Sequence, residues 1–281
     1  MKLIGYGRDY VSSRRTADEL RQAYREEAPA ETDAPAASPA PATPAPTAVA
    51  EVTPITTASP APVLEAAAYP GNPGLTVASR FKALRKENRD IVGWLSIGDL
   101  LDEAVTQRDE TFYMDHDALG KKNVNGAIFL DSGISLKTRP YTLILYGHNM
   151  KTGAMFGCLR NYEKAAFYRK NPFVSFDSMY EKGRYVIFAV GSVSTEANAR
   201  HYVDFFSLIS SDVQQRQAAI DALKAASVHT CAVDVRPDDQ LLLLVTCVEK
   251  DEERRIVAAR RVRDDEDEKG LKKLVERSRK R

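Results

Sequence analysis

The chain has 281 residues, 43% of them hydrophobic and 28% charged, with a net charge of +1. At roughly 100–200 residues per domain, that length fits one or two globular domains, and the neutral balance gives no support to nucleic-acid binding, which leaves a basic excess. The three cysteines are an odd count with no zinc-site spacing, so at least one reads as a free thiol, and no run approaches the ~20 apolar residues that span a bilayer.

Residues 9–27 are rich in helix formers and alternate in charge, which predicts an exposed helix. From 28 to 63 the chain is almost entirely Ala, Pro, Thr, Ser and Val and holds most of its 14 prolines. Such a stretch has too little apolar bulk for a core and predicts a semi-extended spacer, reaching roughly 110 Å at ~3.1 Å per residue. The folded part is expected to start near Leu75. There Val77, Phe81 and Leu84 recur at helical spacing, and a short strand follows around Trp94 to Ile97.

Strands are expected at "NGAIFLD" (125–131), at the continuous apolar run "YTLILYG" (141–147), at "FVSF" and at "RYVIFAVGSV" (184–193). One or two short helices fill 155–170 and stop at Asn171-Pro172. An insertion over about 195–238 carries a helix at 212–226, with Asp212 as its N-cap. Strands at 240–246 and 255–263 follow, and the charged end of the chain reads as an exposed helix or frayed tail. Strands outnumber helices and join through loops, which predicts a mainly β fold: a barrel with peripheral helices.

Chemistry concentrates where aliphatic strands end. Cys247 closes "LLLLVTC", where a sheet can hold a thiol rigidly at its rim. Cys158 and Cys231 lack such a setting and read as structural or incidental. A thiol nucleophile needs a proton partner and an oxyanion donor. His148 ends "LILYGH", whereas His116, His201 and His229 lie in polar or irregular segments and read as surface residues. Arg255 opens the strand after Cys247, so an antiparallel hairpin would bring the two together; the competing reading is a surface ion pair with Glu252 or Glu253. Arg254, one residue earlier, would face the other way if the strand has begun there.

These blocks in order ("NRDIVGWLSI", "NVNGAIFLD", "LILYGHNMKTGAMFGCLRNY", "GRYVIFAVGSV", "LLLLVTCVEKDEERRIVAARRV") resemble a sortase, and among sortases class B. The resemblance implies an eight-stranded sortase-type barrel over 75–265. It would be preceded by a juxtamembrane-like helix (1–27) and an Ala/Pro/Thr-rich linker (28–74), and followed by a charged tail (266–281). It implies that Cys247 attacks the Thr carbonyl of a C-terminal sorting motif and forms a thioester. His148 would protonate the leaving amine, and Arg255 would stabilise the oxyanion. The acceptor would be a cell-wall precursor or a pilin lysine, with no metal or organic cofactor. A hydrolytic cysteine peptidase and a catalytically silent surface adaptor on the same scaffold are the alternatives. The family's membrane span does not occur in this sequence, so an anchor absent from this chain would hold the domain at the extracellular face of a Gram-positive membrane. Two blocks depart from the family: Val245 stands where many members carry Ser, and "LLDEAVTQ" replaces the usual continuation after "GWLSI", which puts that local strand in doubt.

Overall fold

The structure, a computed structural model, describes residues 2–26, 62–65, 67–247 and 253–281. Helix α1 (Lys2–Glu26) forms as the helix formers predict, but it is not an exposed rod. Ser13, Thr16, Ala17 and Leu20 are buried, and with Tyr24 they make one stripe at helical spacing. Small residues at 13, 16 and 17 let the backbone approach the sheet; further along, Tyr24 stacks on Trp94 at 4.4 Å and 9°.

Most of the expected linker, 28–61 and residue 66, lies outside the described residues, but its last residues are docked rather than free. Tyr69 is buried and donates to the Leu136 carbonyl at 3.1 Å, and Leu64 N donates to Ser211 O at 2.7 Å.

Helix α2 (Ser79–Glu87) buries Phe81 and Leu84 and leads into β1 (Ile91–Ile97) and β2 (Leu101–Thr106). Strand β2 forms despite its unfamiliar sequence, because Leu101, Ala104 and Val105 are still buried and pair along β1. Then come β3 (Ile128–Leu130), β4 (Thr142–His148), a 3-10 helix (Phe156–Glu163), α3 (Ala165–Lys170), β5 (Phe173–Ser178) and β6 (Arg184–Ser194). The insertion carries α4 (Phe205–Ile209), which the sequence did not announce, and α5 (Val213–Ala226), capped by Asp212 accepting from Gln214 N and Gln215 N. The chain continues through β7 (His229–Thr230), β8 (Leu241–Cys247) and β9 (Glu253–Arg261). The C-terminal residues are not a frayed tail. Helix α6 (Glu268–Glu276) buries Leu271 and Val275, and β10 (Arg279–Lys280) pairs with β7.

Eight strands close into a barrel in the order β1-β2-β3-β4-β8-β9-β6-β5, which leaves the main sheet no open edge. Strands β4 and β8 run parallel and are joined by the long crossover through residues 149–240. Both faces of that pair are covered, which is why β4 and β8 read as continuous aliphatic runs rather than alternating ones. Arg216, buried on α5, donates to the carbonyls of Tyr141, Leu208, Pro237 and Asp239, fixing the insertion to the base of β4 and β8.

Glu103 on β2 lines a cleft of about 550 Å³ under α1, near Arg14 and Arg21. Burial pushes its carboxyl up to about 7, with Arg21 acting in the opposite direction. The folded chain then keeps a proton there that the unfolded chain releases near the ordinary value of 4.5. Stability is therefore expected to fall as pH rises from about 4.5 to about 7 and to level off above that. Thermal melts of the wild type and Glu103→Gln across this range check it: the variant should show a flatter profile, and identical slopes would refute the assignment.

Candidate active site

The register of three strands builds the site. β4 and β8 pair in parallel from Thr142↔Leu241 to His148↔Cys247, so the two predicted residues end neighbouring strands side by side. Their hairpin partner β9 pairs with β8 through Val245↔Ile256. Two residues further along each strand, the same register sets position 247 opposite Arg254, and Arg255 opposite Thr246.

The two faces of this rim differ. On one face Tyr146, His148 and Arg254 line a groove of about 630 Å³, walled by Met114, Tyr202 and Phe206. On the other face Gly147 and Thr246 lie under the 3-10 helix Phe156–Glu163; a Cβ on Gly147 would meet the Phe156 ring at 3.0 Å. Arg255 belongs to this second face. Its guanidinium pairs with Glu163 at 2.8 Å, and its backbone N–H donates to Thr246 Oγ1 at 3.2 Å. Arg255 makes an ion pair, with Glu163 rather than with Glu252 or Glu253, and Arg254 lines the groove. That Arg254 and Arg255 face opposite ways is what the alternation along β9 predicts; which of them faces the groove depends on the hairpin register.

His148 is oriented by backbone. Its Nε2 lies 2.5 Å from the carbonyl oxygen of Met114, at the end of the 3-10 helix Phe112–Met114. A carbonyl only accepts, so Nε2 carries the hydrogen in this contact, which leaves Nδ1 as the accepting ring nitrogen. The short helix is itself capped: Asp109 accepts from Thr111 N at 3.0 Å and Phe112 N at 2.8 Å. Across the groove Tyr146 donates to Asp131 at 3.1 Å, and Glu110 and Asp204 add negative charge. Phe206 is 81% exposed on the groove wall, a large apolar surface left largely uncovered by the described residues.

The remaining candidates sort by burial. His116 stacks on Phe112, while His229, expected on the surface, is buried and sits 2.7 Å from the Tyr162 carbonyl. Cys231 contacts the Tyr168 hydroxyl at 3.0 Å. Val245 is fully buried, so that position offers the groove no hydroxyl. Among the described residues no cluster of acidic, histidine or cysteine side chains could hold a metal ion.

A closed eight-stranded barrel with this strand order is the sortase fold: a Bacillus anthracis crystal structure described as similar to sortase B superposes with a TM-score of 0.64 at 24% identity, covering 90% of this chain and 97% of that one. No family model matches the chain. Its sequence is 32% identical over 170 residues to sortase B of Staphylococcus aureus and 33% identical over 168 residues to sortase B of Listeria monocytogenes. Each alignment covers 59% of this chain and 66% of the relative, just under two thirds of its length. The solved Listeria monocytogenes sortase B is 30% identical with a TM-score of 0.54, covering 64% of this chain and 99% of that one. Sortase B of Staphylococcus aureus, at 29% identity, has been solved as a substrate complex (TM-score 0.59, covering 67% of this chain and 87% of that one) and in complex with triglycine. The chain belongs to the sortase B family.

Burial pushes the Cys158 thiol up to about 12, which removes it as a competing nucleophile. Brief iodoacetamide treatment of the native chain at pH 7, followed by peptide mapping, is expected to leave Cys158 unmodified. Its alkylation without denaturant would contradict this.

Proposed function

We propose that the chain is a cysteine transpeptidase that cleaves a C-terminal sorting motif after Thr and passes the acyl group to an amine. The observation that carries this reading is the in-register pairing of His148 with Cys247 at the ends of two parallel strands, beside a groove that Arg254 enters. In this reading Cys247 attacks the Thr carbonyl carbon as the thiolate, its proton having passed to Nδ1 of His148, and forms a thioester as the amide C–N bond breaks. His148 gives its proton to the departing amine, then takes one from the incoming amine that displaces the thiol. A guanidinium from the start of β9 faces the oxygen on which negative charge grows, where a fixed cation stabilises the transition state more than the ground state. The presence of Arg254 in the groove lining supports giving it that role. Arg255, which the family resemblance favours, is its rival and would have to leave Glu163 to serve.

The groove suits an extended peptide, with Phe206, Tyr202 and Met114 offering apolar contact around the reacting end. The substrate and triglycine complexes of the Staphylococcus aureus relative support a peptide donor and an amine acceptor in general. The acceptor here is a cell-wall precursor or a pilin lysine, met at the extracellular face of a Gram-positive membrane. Among the described residues no helix is long and apolar enough to cross that membrane.

Incubating the chain with a library of sorting-motif peptides, with and without triglycine, tests the reading. The expected results are an acyl adduct on Cys247 by intact mass, its loss in Cys247→Ala, and an amide product that grows with triglycine. Hydrolysis alone at every amine concentration would leave a peptidase, and an adduct persisting in Cys247→Ala would move the nucleophile elsewhere.

Kinetics separate the two arginines. Arg254→Ala is expected to lower kcat by about 10²–10³-fold, the usual effect of removing an oxyanion donor. Arg255→Ala should cost less than about 1 kcal/mol of stability, as for a part-exposed ion pair, with turnover within a few-fold of wild type. The reverse pattern in steady-state kinetics would return the role to Arg255.

A further inference from the structure

The carbonyl that orients His148 is not held by its own short helix alone. Directly behind it lies Gly126, at φ +62, where a Cβ would fall 2.5 Å from Tyr113 O and 2.8 Å from Met114 O. Ala127 N donates to the Tyr113 carbonyl at 2.9 Å, and Asn123 N donates to Asp115 O at 2.8 Å. Residues 115–127 therefore form a backing plate for the Met114 peptide.

That plate is bolted to α1 by buried polar contacts. Ser13 Oγ donates to Asn123 Oδ1 at 3.0 Å and accepts from Asn125 Nδ2 at 2.9 Å. Thr16 Oγ1 donates to Asp117 Oδ2 at 3.2 Å, while the other oxygen of Asp117 caps Leu119 N and Lys121 N. Ser13, Thr16, Asp117, Asn123 and Asn125 are each at most 8% exposed. Buried groups of this kind hold one geometry, because moving any of them leaves an unsatisfied partner away from water. Leu20 and Tyr24 give α1 its apolar packing, and the two hydroxyls bond directly to the loop that follows the histidine's acceptor.

We propose that α1 is a positioning element for the reaction: Ser13 and Thr16, through the 115–126 loop and Gly126, fix the Met114 carbonyl and with it the ring and tautomer of His148. This rests on the reading of His148 as the proton carrier. The mechanism requires one ring nitrogen to exchange protons with the reacting groups. The Met114 carbonyl decides which nitrogen that is, and α1 decides where the carbonyl stands.

The test uses the whole chain and two readouts. Side-chain ¹⁵N spectra of the histidines, assigned with His148→Gln, give the His148 tautomer from pH 5 to 9, and kinetics on the best library peptide give kcat and KM. In the wild type a single Nε2–H tautomer is expected. In Ser13→Ala/Thr16→Val, and in Gly126→Ala, both tautomers should appear and the titration should shift. For these variants kcat should fall on the order of ten- to a hundredfold while KM stays within about twofold. Thr16→Ser should behave as wild type. If the double variant melts cooperatively yet keeps the wild-type tautomer and titration, the proposal is overturned, whatever happens to kcat. If the wild type cleaves no peptide, the transpeptidase reading fails instead, and the tautomer alone still decides whether α1 positions the ring.

Discussion

The parallel pairing of β4 with β8 is the constraint on which the rest of the molecule depends. A parallel pair needs a long crossover, and here that crossover supplies the capping 3-10 helix, strands β5 and β6 and the groove wall. It also needs both faces covered, which puts the barrel interior on one side and the insertion on the other. Because the pair is in register to its last residues, two chemically different strand ends finish at the same height. A slip of one residue would turn each side chain to the opposite face and separate His148 from the groove.

Around that pair the site is divided by depth. One face of the rim is structural, where Gly147, Thr246 and the part-exposed Arg255–Glu163 pair meet the 3-10 helix. The other is open and bears the groups suited to chemistry. Two adjacent arginines thus have different surroundings for no reason other than the pleat. The histidine is held from a third direction, through backbone rather than through a carboxylate partner, so its orientation is a property of the loop and of the helix behind it.

Much of this was legible in the sequence. The runs at 141–147 and 240–246 announced buried strands because both of their faces are covered, and Asp212 announced α5 because an N-cap is a local device. Cys247 and His148 stood out for ending such runs. What was not legible depended on distant partners. The buried stripe of α1 is made largely of Ser, Thr and Ala, which carry no hydrophobic signal until a sheet lies against them. Leu271 and Val275 were overshadowed by surrounding charge, and His229 by its polar neighbours. Which of Arg254 and Arg255 lines the groove depends on a single residue of register across a hairpin, which composition cannot reveal.

Arg216 carries a consequence of another kind. By gathering carbonyls from the foot of β4, from α4 and from the approach to β8, one buried guanidinium makes the insertion a rigid extension of the barrel. The outward surface of that extension, Phe206 foremost, is free of any duty to the core. Side chains along the groove wall can therefore be exchanged without disturbing the barrel. An anchor fixed by the core, beneath a surface that is not, leaves the groove wall open to change while the barrel stays as it is.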